Sequence, residues 1–208
     1  MIPPAGAWNM DDPEPEGPAT LRDGQPVWIR PIAPSDRAAV EEFVGHVSNE
    51  SIEARYFLPL PRDRVVEELL EGTHRAGPER LSLVVFAHPP DGRRVVAHAA
   101  YAVEGGDPLL AEVAFLIRDD FQGRGLATLL LHRLAAVARG HGIRRFFALV
   151  QTTNDPMLEV FRNCGFPIAE APYGESTRID IPIVEPPSWF PDGDPAHPPL
   201  GVVDHAGG

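Results

Sequence analysis

Residues 119–128 read Asp119-Asp120-Phe121-Gln122-Gly123-Arg124-Gly125-Leu126-Ala127-Thr128 and stand between a predicted strand and the strongest predicted helix of the chain. A glycine-rich loop that leads into a helix exposes several backbone N–H groups beside the positive end of the helix dipole. Its glycines let the backbone approach a ligand closely. The segment therefore predicts a binding site for a pyrophosphate, and the alternative is an ordinary glycine-rich turn.

Two common phosphate-binding motifs do not fit this segment. The dinucleotide motif G-x-G-x-x-G needs a glycine where Thr128 stands, and the P-loop needs a lysine, a residue that this sequence lacks. Nicotinamide dinucleotides and nucleoside triphosphates are therefore not the expected ligands.

The hydrophobic pattern predicts a mixed α/β fold, with about six or seven strands in one sheet and about four flanking helices. In the helix after the loop, Leu126, Leu130, Leu134 and Val137 form one apolar stripe that stops before Gly140. Predicted strands cover 25–32, 81–87, 93–103, 110–118, 145–151, 166–171 and 176–184, and further helical segments cover 36–47, 51–57, 62–70 and 156–165. Asp155, before a proline, is expected to cap the last helix.

Composition indicates one folded domain between two tails. The chain has 208 residues, of which 43% are hydrophobic and 23% are charged. Eleven of its 24 prolines lie in residues 1–18 or 186–208, together with seven acids and no arginine. Such segments bury too little apolar surface to offset the entropy of ordering. We therefore expect disordered tails at both ends and a folded domain over residues 19–185.

Charge and cysteine content indicate which classes of partner and which cellular compartment to expect. The 18 basic residues are all arginines, and with 30 acids the net charge is -12, which argues against a nucleic-acid-binding surface. No segment reaches the roughly 20 apolar residues of a membrane span, and the N-terminus lacks the pattern of a secretory signal. The one cysteine, Cys164, leaves no disulfide within the chain. These features predict a cytoplasmic protein that binds neither nucleic acid nor membranes.

Three features together carry a resemblance to a known family. Gln122-x-x-Gly125-x-Ala127 resembles the acyl-CoA pyrophosphate loop of the GNAT superfamily of N-acetyltransferases. Residues 111–115 look like that family's central strand, and residues 154–166 look like its second CoA-side motif. The likeness covers about residues 20–185, and it is closest to the catalytic domain of bacterial protein lysine acetyltransferases. It implies transfer of an acetyl group from acetyl-CoA to an amine, by direct attack in a ternary complex.

The resemblance also implies roles for individual residues. Glu112 is the expected general base, as the one carboxylate inside an apolar strand, and the alternative is a solvated or arginine-paired glutamate. Asn154 would contact the pantetheine arm or serve as a second helix cap. The oxyanion would meet backbone N–H groups where the central strand leaves its neighbour, near Phe115, Leu116 and Ile117. The CoA pyrophosphate would lie on Gln122, Gly123, Arg124, Gly125, Leu126, Ala127 and Thr128.

Phe161 departs from the family pattern, because many members have at this place a tyrosine that protonates the departing thiolate. Phenylalanine cannot donate a proton. A thiol with a pKa near 8.5 is a tolerable leaving group without one, so water could serve instead. The departure therefore leaves a second interpretation open, in which Phe161 lines an acyl-CoA-binding site but the domain catalyses transfer only slowly. Cys164, three residues later, is expected to be packing rather than function.

The acceptor is less well defined by the sequence. Residues 41–71 hold eight acids and three arginines, and in this fold the corresponding helices border the acceptor cleft. This predicts attraction of a cationic amine, and the alternative is solvated helix faces. A protein lysine is the leading acceptor, and the alternatives are a polyamine or antibiotic amine, or a module that senses acyl-CoA. The histidines show no metal-ligand spacing, so no metal is predicted. An exposed strand edge would allow a homodimer.

Overall fold

A computed structural model describes residues 15–74, 77–87, 94–103 and 105–184. The predicted strands, with their alternating apolar residues, pair there in one sheet of eight strands. The strands are β1 (Gly17–Thr20), β2 (Pro26–Pro31), β3 (Arg80–Ala87), β4 (Arg94–Val103), β5 (Leu110–Ile117), β6 (Arg145–Gln151), β7 (Ala169–Tyr173) and β8 (Ser176–Pro182). The helices are α1 (Arg37–Gly45), α2 (Asn49–Tyr56), α3 (Arg62–His74), α4 (Leu126–Gly140) and α5 (Asp155–Arg162). The predicted mixed α/β class is confirmed, with one strand more than expected.

The sheet runs in the order β1-β2-β3-β4-β5-β6-β8-β7. Every neighbouring pair is antiparallel except β5 and β6, which are parallel. Parallel neighbours need a crossover, and α4 supplies it between these two strands. The glycine-rich segment therefore lies at the carboxyl end of β5, where the chain leaves the sheet for α4.

Two apolar cores cover the two faces of the sheet. The first lies under α4 and α5 and contains Phe115, Leu130 and Phe161. The second lies under α1, α2 and α3 and contains Phe43 and Leu116. Because side chains alternate along a strand, β5 contributes neighbouring residues to opposite cores. Residues 126–138 of α4 are all buried, since the helix is covered on its outer side as well.

Some predicted boundaries differ from the structure. Gly17 and Pro18, assigned above to the N-terminal tail, instead lie in β1 and pair with Ile29 and Trp28 of β2. A four-residue strand with glycine and proline carries no recognisable pattern of its own, so its order comes from this pairing. The strand predicted from 166 begins at Ala169, and the ring of Phe166 is instead buried in a stack on His132 with centroids 4.8 Å apart.

The other tail predictions lie outside the described residues, which leave out 1–14 and 185–208. The turn predicted between β3 and β4 also lies outside them. Within the described part of the chain, no helix is both long and apolar enough to cross a membrane.

His98 is a buried polar residue inside the second core. It lies on β4 opposite Leu116 of β5, only 4% exposed, and neither ring nitrogen has a hydrogen-bond partner among the described residues. Burial, together with the positive charge of Arg55, lowers the pKa of His98 to about 3. The folded protein therefore holds this imidazole neutral at physiological pH.

We expect this histidine to make stability fall as the pH drops from 7 to 5. The unfolded chain gains a proton near pH 6.5 that the folded protein cannot bind until about pH 3, so stabilisation present above pH 6.5 is lost below it. In urea unfolding at both pH values, His98→Leu should shrink the difference in unfolding free energy by about 2 kcal/mol. An unchanged difference would contradict a neutral His98.

Candidate active site

The site begins where β5 and β6 separate. These strands share only three residue pairs, Leu110 with Arg145, Ala111 with Phe146 and Glu112 with Phe147. Beyond Glu112, β5 continues to Ile117 paired with β4 alone. A gap therefore opens in the middle of the sheet, and the edge of β5 that faces it has no strand partner.

The backbone of β5 directs polar groups into this gap. The N–H of Arg118 donates to the carbonyl of Val96 at 3.0 Å, on the β4 side. Successive residues of a strand point their N–H and C=O groups to opposite edges. The groups of Phe115 and Ile117 therefore point away from β4 and into the gap. The carbonyl of Ile117 accepts a hydrogen bond there from Gln122 at 3.1 Å.

The gap forms the inner part of a cleft of about 580 Å³. Of the thirteen residues assigned to the site from the sequence, all but Arg124 line this cleft. They are Glu112, Phe115, Leu116, Ile117, Gln122, Gly123, Gly125, Leu126, Ala127, Thr128, Asn154 and Phe161. Residues from α2 and β6 complete the wall, among them Glu50, Ser51, Arg55 and Gln151.

Glu112 occupies the last paired position of β5 and is half-buried. It is two and four residues from Ala114 and Leu116, so its side chain is on the face that α2 covers. The small side chain of Ala114 next to it leaves space between the strand and α2. The carboxylate thus lies on the α2 side of the cleft, where a second substrate could reach it.

The glycine-rich loop has the geometry of an anion site. Gly123 and Gly125 adopt φ values of +72° and +81°, which favour glycine, and Gly125 is the residue before α4. A Cβ added to Gly125 would lie 2.8 Å from Nε of Arg22, so glycine at this position leaves room for the Arg22 side chain. The first N–H groups of α4 have no partners within the helix. The loop therefore fits the pyrophosphate of a CoA molecule.

Arg124 is the exception to the predicted set. Its Nη1 donates to Gln25 at 2.9 Å and lies 3.1 Å from a carboxylate oxygen of Asp23, and its guanidinium stacks on Phe121 at 4.6 Å. These partners hold the side chain on the outer surface of the loop. The prediction that Arg124 binds the cofactor through the backbone of the loop stays a prediction, while its side chain lies outside the cleft because the chain between β1 and β2 binds it.

Gln122 ties the loop to α2. Its Nε2 donates to Oγ of Ser51 at 3.1 Å, besides the bond to Ile117. Asp119 accepts from the Ser48 N–H at 2.8 Å, from the Ser48 hydroxyl at 2.7 Å and from the Ser51 hydroxyl at 2.9 Å. Burial alone would raise the pKa of the Asp119 carboxyl, but the bonds from the serines outweigh it and hold the pKa below its usual value.

Asn154 both lines the cleft and caps α5. Its Oδ1 accepts from the N–H of Met157 at 3.2 Å, which makes Asn154 the N-cap of the helix. Asp155 lies inside the first turn, so its predicted role as the cap is wrong. The side-chain N–H groups of Asn154 have no partner among the described residues. They are the groups that it can offer to a ligand.

Phe161 is fully buried at the inner wall, with its ring 6.1 Å from that of Phe115. No hydroxyl is present at this position, as the sequence shows. Cys164 is also buried, but it does not line the cleft, and burial raises the pKa of its thiol. The expectation that Cys164 packs in the core agrees with this placement.

The acids of residues 41–71 contribute less to the cleft than their number suggests. Glu67 pairs with Arg37 at 2.8 Å, and Glu42 lies 3.5 Å from Arg118. Of the eight acids, Glu50 is the one that lines the cleft. In the described part of the chain, no cluster of three or more histidine, cysteine or acidic residues could hold a metal ion.

Sequence reasoning missed the residues that reach the cleft from distant parts of the chain. Arg22, Arg55 and Gln151 all line it. Gln151 donates to the carbonyl of Glu53 at 3.1 Å, so α2 is tied to β6 as well as to the loop. No local motif marks these residues, because each is placed by a tertiary contact.

Comparison with known proteins identifies the family. The acetyltransferase (GNAT) family model matches residues 46–166. Acetyltransferase Pat of Mycolicibacterium smegmatis is 28% identical over 176 residues, which are 84% of this chain and 52% of that protein. The chain therefore spans about half the length of that relative.

Solved structures agree with the family match. The GNAT domain of S. lividans PAT is 31% identical, with a TM-score of 0.73 over 85% of this chain and 99% of that one. The protein yncA of Salmonella typhimurium, solved with its cofactor acetyl-CoA, is 20% identical over 76% of this chain and 95% of that one. Its TM-score of 0.58 shows the shared fold.

The link between Asp119 and α2 can be tested by stability. Asp119→Ala removes an acceptor shared by two serines, and we expect it to lower the free energy of unfolding in urea at pH 7 by about 1 kcal/mol, since the site is partly solvent-screened. Ser51→Ala should lower the free energy of unfolding by less. The double variant should lower it by less than the sum of the two single variants, because each single variant already removes the same bond between Asp119 and Ser51.

A matched control is Glu71→Ala, which changes an exposed acid of α3 outside the cleft. It should stay within about 0.5 kcal/mol of the wild type. Strict additivity of Asp119→Ala and Ser51→Ala would show that the bond between Asp119 and Ser51 does not contribute to the link between α2 and the loop.

Proposed function

The chain is an acetyltransferase of the GNAT family, and on that premise we propose that it transfers an acetyl group from acetyl-CoA to the side-chain amine of a protein lysine. The observation that carries the proposal is the position of Glu112. It stands at the last residue pair before β5 leaves β6, on the face of the sheet that α2 covers, and it lines the same cleft as the glycine-rich loop. One cleft thus contains a loop that suits the cofactor and a carboxylate that suits an amine.

The residues that would hold the cofactor are on the loop side. The backbone from Gln122 to Thr128, at the start of α4, suits the pyrophosphate, and Asn154 offers side-chain N–H groups to the pantetheine amides. When bound, acetyl-CoA supplies an acetyl thioester whose carbonyl carbon accepts the amine nitrogen while the thiolate leaves. The N–H groups of Phe115 and Ile117 point into the gap, where they can stabilise negative charge on the carbonyl oxygen.

Glu112 is the proposed base. A lysine amine has a pKa of about 10.4, so nearly every molecule is protonated near pH 7 and must lose a proton before or during attack. The Glu112 carboxylate can take that proton directly or through a water molecule that it orders. Phe161 offers no proton to the departing thiolate, so water protonates it.

The comparisons support a protein acceptor without identifying it. The resemblance to bacterial protein lysine acetyltransferases and the similarity to Acetyltransferase Pat both favour a lysine on a protein. In the cleft, Glu50 and Glu112 provide carboxylates near α2 that attract a cation, while Arg55 of the same helix adds a positive charge. We therefore expect the position of Glu50 in the cleft, and not the net charge of the chain alone, to determine which cationic acceptors bind.

The role of Glu112 is tested by replacing it with glutamine. Glu112→Gln should reduce acetyl-CoA-dependent turnover at pH 7 by about 10² to 10⁴-fold, because a neutral amide cannot take the proton. CoA release is measured with lysine-containing protein as acceptor. Glu71→Gln, the same change on an exposed helix face outside the cleft, should keep full activity.

Equal release by Glu112→Gln and the wild type would keep the enzyme and remove Glu112 as the base. Demonstrable CoA binding without any release by the wild type would instead support a small-amine acceptor or a sensor module. Those two cases are separated by adding polyamines and aminoglycosides to the same assay.

The acceptor class is tested through Glu50. The sequence contains no lysine, so an acetyl-lysine signal comes from the acceptor alone. We expect Glu50→Gln to raise KM for a lysine peptide by about two- to tenfold at low salt with kcat unchanged, because the charge acts on binding, and the effect should shrink as salt rises. A fall in kcat at constant KM would contradict this role.

A further inference from the structure

The chain between β1 and β2 is attached to the glycine-rich loop. The N–H of Arg22 donates to the carbonyl of Arg124 at 3.2 Å. In the reverse direction, the Arg124 guanidinium binds Gln25 at 2.9 Å and Asp23 at 3.1 Å. This turn comprises Leu21 to Gln25. Three of its residues contact Arg124, and these contacts fix the position of the turn relative to the loop.

Arg22 is the residue of the turn that faces the cleft. Its side chain lies across Gly125, with Nε, Cδ and Cγ at 2.8, 3.0 and 3.0 Å from the position of a Cβ on that glycine. It lines the cleft beside Gly123 and Gly125 and is exposed to solvent. Its guanidinium has no ion pair with any described residue.

The other charges near the loop are already paired. Arg124 is bound to Asp23, and Arg118 is bound to Asp120 at 2.7 Å. The carboxylate of Asp119 accepts from serines. Among the described residues, Arg22 is therefore the positive charge at this end of the cleft that has no ion-pair partner and can bind an anion.

We propose that Arg22 binds the pyrophosphate of CoA from the side opposite the backbone N–H groups of the loop. A guanidinium presents parallel N–H donors that match phosphate oxygens and keeps its charge at every physiological pH. The loop supplies neutral donors and a helix dipole, while Arg22 supplies a full positive charge, since the cation of the loop itself, Arg124, is paired with Asp23 outside the cleft. The inference rests on the proposed use of acetyl-CoA.

The turn thereby becomes part of the cofactor site. Gly125 has two functions, since it allows the left-handed backbone and leaves the space that the Arg22 side chain occupies. The side chain of Arg124 binds Asp23 and Gln25 and so positions the turn that carries Arg22. The arginine that serves the phosphate comes from about a hundred residues earlier in the chain.

Isothermal titration of the full chain with CoA and with dephospho-CoA, which keeps the pyrophosphate but lacks the 3′-phosphate, tests this directly. Arg22→Gln should weaken the binding of both ligands by about tenfold or more, in line with the loss of a charge-assisted bond. The salt dependence of CoA binding should also become shallower, since one ion pair is lost. Arg64→Gln, which removes an exposed arginine of α3 outside the cleft, should leave both affinities unchanged.

Several results would overturn the assignment. Equal CoA affinity of Arg22→Gln and the wild type would exclude the contact. A loss seen with CoA but not with dephospho-CoA would assign Arg22 to the 3′-phosphate instead. A lowered urea midpoint of the ligand-free variant, together with an unchanged salt slope, would make the effect structural. A wild type that binds neither ligand would refute the proposed use of acetyl-CoA itself, which is a different result from wild-type binding without an Arg22 effect.

Discussion

The separation of β5 from β6 after three residue pairs is the constraint on which the rest of the site depends. A sheet that loses a pairing in its middle leaves backbone N–H and C=O groups without partners, and such groups are costly unless something else satisfies them. Gln122 satisfies one by donating to the carbonyl of Ile117. The N–H groups of Phe115 and Ile117 face the same gap, so the break that weakens the sheet also creates donors for a developing negative charge.

The gap stays open because α2 is held across it rather than packed into it. The helix is bonded to the loop through Ser51 and to β6 through Gln151, which donates to the carbonyl of Glu53. Both attachments are polar and lie at the rim, while Ile52 anchors the helix in the second core. Fixing the helix at three points leaves the part of the cleft that Ala114 and Glu112 line, where we propose that the acceptor binds.

Local signals in the sequence were sufficient for the elements that depend on their own residues. The stripe of α4 and the glycines before it predicted the loop, and the apolar strand around Glu112 predicted β5. By contrast, β1 and the binding of Arg124 by Asp23 and Gln25 depend on contacts between distant segments. Asn154 shows a third case, because Asn154 and Asp155 are both good caps and only the backbone geometry selects one.

Phe161 bears on which steps of the proposed reaction need a side chain that transfers a proton. Its ring is buried against Phe115, so the inner wall is apolar at this position and carries no hydroxyl. A thiol with a pKa of roughly 8.5 is a tolerable leaving group as the unprotonated thiolate. By contrast, only a small fraction of an amine is unprotonated near neutral pH. The harder requirement is therefore removal of the proton from the amine, the role that we propose for Glu112. Under the proposed mechanism, a chain that keeps the carboxylate and the gap but lacks the acid retains the two features that removal of the amine proton and stabilisation of the oxyanion need.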